Sequence, residues 1–184
     1  MSYRSKRFTF GIKTTSEIDA INLVSNPELT AGMSVWNSDI KKPEYWTGSV
    51  WTNEDCILLT NTSGTTIDRG KLVRLDLTQT SILGALLTNL NEDIMVGVVH
   101  RGATNNGTLV VAIQGLYPVK YISAETISTR GNLIQLSSTP GEADQIGTTG
   151  GNDVIGVCSE SLNVSQMSAA GNLVKCMIQT MSSL

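Results

Sequence analysis

One phrase of this chain occurs twice, and that constrains the fold more than any other feature. The first copy runs Ile94-Met95-Val96-Gly97-Val98-Val99, a polar turn, then Gly107-Thr108-Leu109-Val110-Val111-Ala112-Ile113-Gln114. The second runs Asp153-Val154-Ile155-Gly156-Val157-Cys158, a longer polar turn, then Gly171-Asn172-Leu173-Val174-Lys175-Cys176-Met177-Ile178-Gln179, with one extra residue between Val174 and Ile178. Upstream, Gly70-Lys71-Leu72-Val73-Arg74-Leu75 matches Gly131-Asn132-Leu133-Ile134-Gln135-Leu136. The three pieces recur in the same order, so two units share one strand grammar, and repetition of this kind dictates architecture.

Between the Gly, Asn, Ser and Thr clusters, short apolar runs predict strands at 71–77, 94–100, 109–114, 117–122, 132–136, 154–160 and 173–179. Short strands at regular spacing with turn signals indicate a β-barrel or sandwich. Each copy supplies only about three or four strands, too few to close a barrel alone, so the two copies are expected to form one domain together, a pseudo-symmetric barrel closed by the two halves, over residues 64–184. Gly70 and Gly131 enter their strands from turns, where positive φ is expected. Gly97 and Gly156, inside strands, predict a bulge or a close backbone approach.

Two segments precede the repeat. Residues 1–13 read as an extended arm, because Phe8, Phe10 and Ile12 alternate with Arg7, Thr9 and Gly11 at the period of a strand. Such a strand pairs with this protein's own sheet, with a sister subunit or with another protein. Residues 14–63 read as a small module. A short helix is expected over 14–25, capped by Ser16 with Asp19 three residues on, and with Ile18, Ile21 and Val24 on one face. A β-meander follows, carrying all three tryptophans, Trp36, Trp46 and Trp51, with Tyr45 alongside. These rings are either the module's core or an exposed contact surface for a glycan or a partner. The polar cluster Asn61-Thr62-Ser63-Gly64 marks the expected boundary with the repeat domain.

Charge and chemistry narrow the function classes. Charged residues make up only 16 % and the net charge is −3, against about 25 % charged in ordinary globular proteins. An acidic chain is the opposite of a nucleic-acid footprint. The bases Arg4, Lys6 and Arg7 concentrate in the arm with Tyr3, Phe8 and Phe10, and that combination suits an acidic protein surface. Cys56, Cys158 and Cys176 have no metal-site spacing and form no even disulfide framework. They read as small apolar residues in a reducing compartment. No apolar run approaches the ~18 residues of a membrane span, and the first residues lack the apolar core of a signal peptide. His100 is the single histidine, and neither a nucleophile elbow nor a phosphate loop with its Lys-Ser/Thr is present. The expectation is a protein that binds without catalysis, metal or cofactor.

The phrases Gly70-Lys-Leu-Val-Arg-Leu, Val96-Gly-Val-Val and Gly107-Thr-Leu-Val-Val-Ala-Ile-Gln-Gly115 resemble the β-barrel decoration (cement) proteins of tailed-bacteriophage heads. The stretch from Thr30 through Gly32-Met33, Trp36-Asn37 and Tyr45-Trp46-Thr47-Gly48 to Trp51 is similar to a module of phage fibres. The two resemblances cover about residues 64–180 and 29–52. They imply a structural protein of the virion, made in the host cytoplasm and seated on the outer capsid surface as a decoration or head-fibre protein. The implied partners are two further copies of itself, in a homotrimer, and the major capsid protein, with neither nucleic acid nor membrane. On this reading Tyr3, Arg4, Lys6, Arg7, Phe8 and Phe10 form the partner-binding arm, which acts by strand addition, and Trp36, Tyr45, Trp46 and Trp51 are candidate interface aromatics. The alternative is a tail-fibre or head-fibre tip that recognises a host-surface glycan through the same aromatics.

Overall fold

The computed structural model describes residues 9–22, 24, 26–88, 97–147 and 154–179. The protein is mainly β, and the chain divides into two compact units, Met1–Glu54 and Asp55–Leu184.

Among the described residues of the N-terminal unit four strands lie in sequence order: β1 (Thr9–Lys13), β2 (Ser34–Asn37), β3 (Lys42–Trp46) and β4 (Trp51–Thr52). The meander β2-β3-β4 is antiparallel, as its turn-rich sequence predicts, and β1 joins its edge in parallel to β2. The C-terminal end of the expected arm is therefore a strand of this unit's own sheet. The helix is shorter than expected. It is α1 (Thr15–Asp19), capped by Thr14 rather than Ser16, and Thr14 forms a reciprocal capping box with Glu17. The Thr14 hydroxyl accepts from the Glu17 N–H while the Glu17 carboxylate accepts from the Thr14 N–H, so two otherwise orphaned donors are satisfied. Ile18 and Ile21 are buried as the periodicity requires, but Val24 is 95 % exposed because the helix has already ended.

The core of this unit gathers Ile18, Ile21, Leu29, Met33, Val35, Trp46 and Trp51. Trp46 and Trp51 face each other across β3 and β4, with ring centroids 5.5 Å apart and planes tilted by 55°. The Trp51 indole N–H donates to the Ile21 carbonyl at 2.9 Å. A buried bond of this kind contributes about 1 kcal/mol net and ties the segment after α1 to the meander. Polar groups are buried here too. The Asn37 amide donates to the Thr15 hydroxyl at 2.9 Å and to the Glu44 carboxylate at 3.2 Å.

In the second unit β5 (Cys56–Asn61) pairs along most of its length with β9 (Thr108–Ala112). The break between units therefore falls after Glu54 rather than after Ser63. The cluster Asn61-Thr62-Ser63-Gly64 is a turn inside the barrel, where the Asn61 side-chain carbonyl accepts from the Ser63 N–H at 3.0 Å. A polar Gly-containing turn carries the same local signature whether it joins two strands or two domains, and only pairing partners distinguish the cases.

The second unit contains two sheets rather than one barrel shared by the copies. The first is a closed five-stranded barrel, β5-β7-β6-β8-β9, with β6 (Leu72–Leu75), β7 (Gly84–Leu87) and β8 (Gly97–Arg101). The second is a five-stranded sheet, β10-β14-β13-β11-β12. Its strands are β10 (Gln114–Lys120), β11 (Leu133–Leu136), β12 (Ala143–Gln145), β13 (Val154–Cys158) and β14 (Leu173–Gln179). Written from the same starting strand, the barrel runs β5-β9-β8-β6-β7, so the two routes are identical. Each copy is thus five strands, and the sequence pattern exposed only part of each. Strands β7 and β12 escaped it. They are three or four residues long and rich in Ala, Gly, Asp and Gln, residues with little strand preference.

The repeat extends to individual hydrogen bonds. Gly70 N–H donates to Val99 O at 2.8 Å, and Gly131 N–H to Cys158 O at 2.9 Å. Ile67 exchanges two backbone bonds with Ala103, and Ser128 exchanges two with Leu162. Gly70 and Gly131 both have positive φ, 85° and 91°, as expected for their turns. At Gly97 a Cβ would run into the Ala112 carbonyl, and at Gly156 into the Met177 carbonyl, the same rung in each copy. The expected close approach at these glycines is therefore real in both.

Candidate functional site

Alternation along β2 and β3 divides the N-terminal sheet into two faces. Val35, Asn37, Glu44 and Trp46 point inward and are buried, while Trp36, Pro43 and Tyr45 are exposed. Ile12 lies opposite Trp36, and Trp36 lies opposite Pro43, so the three form one row across three strands. Tyr45 stands opposite Ser34, diagonal to Trp36, a spacing within reach of aromatic side chains. Ile12 is 75 % exposed, Trp36 42 % and Tyr45 43 %. Single exposed apolar residues are ordinary, but these stand side by side on one face of the sheet.

Of the four aromatics named from sequence, only Trp36 and Tyr45 are therefore available to a partner. Trp46 and Trp51 are 5 % and 2 % exposed and belong to the core. The reason is parity: Trp46 follows the exposed Tyr45 on β3 and points to the other face, and Trp51 sits directly opposite Trp46. Tyr3, Arg4, Lys6, Arg7 and Phe8 lie outside the described residues, and Phe10 is described in its backbone alone, within β1. β1 is the edge strand of its sheet, and among the described residues no strand pairs with its outer side.

Polar chemistry in the second unit is mostly local. Asp76 accepts from the Thr62 and Thr78 hydroxyls at 2.7 and 2.6 Å and from the Gln79 amide at 3.1 Å. These bonds, that from Thr78 foremost, hold its carboxyl well below the usual range. Ser137 does the same turn-closing work in the second copy, accepting from the Thr139 N–H at 3.1 Å. Glu125 is raised to about 7, first by partial burial and then by the neighbouring Asp144 carboxyl. His100 is buried, and its ring meets Tyr117 of β10 edge-on at 5.2 Å. Lys71 and Glu142 pair at 2.7 Å between the turn before β6 and the turn before β12.

The sequence also concealed a cluster inside the second sheet. Cys158 of β13 and Cys176 of β14 are directly opposite each other and buried. The Tyr121 hydroxyl lies 3.6 Å from the Cys176 sulfur. Eighteen positions separate the two cysteines, so only strand pairing brings them together. The available signal was the repeat itself, because Cys158 and Cys176 occupy the places of Val99 and Val111, which pair in the first barrel. Among the described residues no group of three or more His, Cys, Asp or Glu is placed to hold a metal ion, and no helix is long and apolar enough to cross a membrane. No family model matches the chain, and no curated protein is similar enough to count as a relative.

Proposed function

We infer that this protein is a structural, non-catalytic component of a tailed-phage virion, a decoration or head-fibre protein on the outer capsid surface. The observation that carries this reading is the N-terminal sheet, whose edge strand β1 has no strand on its outer side among the described residues and lies beside the exposed row Ile12, Trp36 and Pro43 with Tyr45. An open edge binds an extended partner segment through main-chain hydrogen bonds, and flanking apolar side chains set its register. The major capsid protein is the partner, the protein acts as a homotrimer, and Arg4, Lys6 and Arg7, which precede β1 in the sequence, add charge attraction. The second unit, a closed barrel followed by a five-stranded sheet, is the scaffold, and the low charge of the chain suits a surface held within an assembly. A protein that binds assembled shell in preference to free subunits stabilises that shell by mass action.

The test is co-sedimentation with purified capsids. The double variant W36S/Y45S, and separately a deletion of residues 1–8, should each keep the circular dichroism of the parent and lose at least tenfold in capsid affinity. Retention of full affinity by both would overturn the reading. A second reading keeps the same surface and changes the partner: Trp36 and Tyr45, diagonal on one sheet face, form a stacking platform for a host-surface glycan. Glycan-array binding that disappears in W36S/Y45S, while capsid binding survives, would favour it.

A further inference from the structure

The cysteine pair of the second sheet is placed for chemistry that its counterpart in the first cannot perform. Cys158 and Cys176 are in register on antiparallel neighbours. One rung away, Ser159 N–H donates to Lys175 O at 2.9 Å. Antiparallel rungs alternate, so the cysteines occupy a rung without backbone bonds, where side chains stand closest and Cα atoms are about 4.5 Å apart. That separation lies within the span of a disulfide. Both side chains point to the buried face, at 1 % and 0 % exposure. Packing alone does not demand thiols there, because the matching rung of the first barrel is filled by Val99 and Val111, both fully buried.

We propose that Cys158 and Cys176 are a modification site, a buried cross-strand dithiol that hydroperoxides convert to a disulfide joining β13 to β14. The reaction balances in two steps. The Cys158 thiolate attacks one oxygen of hydrogen peroxide, the O–O bond breaks, and the leaving hydroxide takes up the proton released from Cys158, giving a sulfenic acid and water. The Cys176 sulfur then attacks the sulfenic sulfur, and the S–O bond breaks. The hydroxyl leaves as water with the Cys176 proton. Two thiols are oxidised by two electrons and one peroxide is reduced to two waters. The order follows from the surroundings. The contact with the Cys176 thiol draws Cys158 down to about 6, whereas the contact with Cys158, and then burial, push Cys176 up. The thiolate is the nucleophile in such reactions, so Cys158 attacks and Cys176 resolves. Peroxide fits as oxidant because it is small and uncharged, which a site this buried requires. The cross-link encloses α2 (Val164–Ala169), the helix that joins β13 to β14 and has no counterpart in the first barrel.

The experiment uses the full chain. It is treated with hydrogen peroxide, unfolded in denaturant and labelled with a maleimide. One label is expected, on Cys56, together with a mass lower by two hydrogens and a peptide linking Cys158 to Cys176. The thermal midpoint should rise by several degrees, since a cross-link restricts the unfolded chain. The variant C158V/C176V copies the first barrel's rung and should fold, take one label before and after peroxide, and show no midpoint change. In C176S, Cys158 should stop at the sulfenic acid, which dimedone captures. Three labels after peroxide at every dose, or oxidation of Cys158 to the sulfinic acid in the parent with Cys176 still free, would overturn the proposal.

Discussion

The two copies of the repeat follow one route, yet they close differently. In the first, β5 and β7 meet in a parallel ladder, with Thr60 opposite Gly84 and Asn61 opposite Ala85. In the second, the segment just after β10 meets β12 through one parallel bridge, Tyr121 to Ala143, and one bond from Ile122 N–H to Ala143 O at 3.0 Å. The matching bond in the first is Thr62 N–H to Ala85 O at 3.1 Å. Asn61 and Tyr121 hold the same place at these seams. Asn61 is buried, and its amide donates to Thr65 O at 2.7 Å and Ala103 O at 2.8 Å, so it ties the seam to its neighbours. Tyr121 is also fully buried, but it brings a large ring whose hydroxyl meets a cysteine sulfur. The aliphatic interior of the first barrel, Leu59, Val73, Val99, Leu109 and Val111 among others, is small enough to be wrapped tightly. The second encloses a bulkier group and stays more open at its seam. One topology thus tolerates two degrees of closure, and the residue at the seam accompanies the difference.

This comparison can be broken at three points. The largest effect is expected at the seam. Tyr121→Ala should destabilise by about 3–5 kcal/mol, as aromatic truncations in cores do, against about 1–3 kcal/mol for Asn61→Ala, which removes the two bonds that the buried amide donates to Thr65 O and Ala103 O. Chemical denaturation of both variants measures this, and an Asn61→Ala loss equal to or above that of Tyr121→Ala would contradict the contrast drawn here. Next come the paired glycines. Gly97→Ala and Gly156→Ala each drive a methyl group into a carbonyl on the same rung, so each should cost about 3 kcal/mol, the upper range for overpacking. Urea midpoints that fall by clearly different amounts would show that the two rungs are not equivalent.

The smallest effect is electrostatic and belongs to the second copy alone. Glu125 has its carboxyl raised to about 7 in the folded protein, above the ~4.3 of an unfolded chain. The folded state therefore holds the proton more tightly. Its stabilising contribution is complete below pH ~4 and is lost as the pH rises through 7. Glu125→Gln should flatten the pH dependence of the thermal midpoint between those limits, and an unchanged slope would place the titration elsewhere.

Particular residues show how far local reading reaches. Gly97 and Gly156 announced a close approach before any carbonyl could be named, because a glycine amid valines in a strand has few other reasons to be there. Helix α2 is marked in the sequence by its cap alone. Asn163 and Gln166 form a capping box, the Asn-x-x-Gln spacing that marks a helix start, within a stretch read only as a longer loop. Helix α1 ends at its Ala20 cap, sooner than the apolar periodicity through Val24 suggests. The candidate site was half legible. The aromatic stretch was evident, but its division into exposed Trp36 and Tyr45 and buried Trp46 and Trp51 depends on strand parity, which a shift of one residue reverses.

The sequence alone determined that this chain is built of short strands, that two units share one order of strands, and which glycines sit where backbones crowd. Those properties are local, written in alternation, turn residues and the absence of a side chain. Only the tertiary structure decided that each copy makes its own five-stranded sheet, that β5 belongs to the barrel, and that Cys158 meets Cys176. Pairing between distant segments is set by which strands find each other in space, and no run of neighbouring residues carries that information.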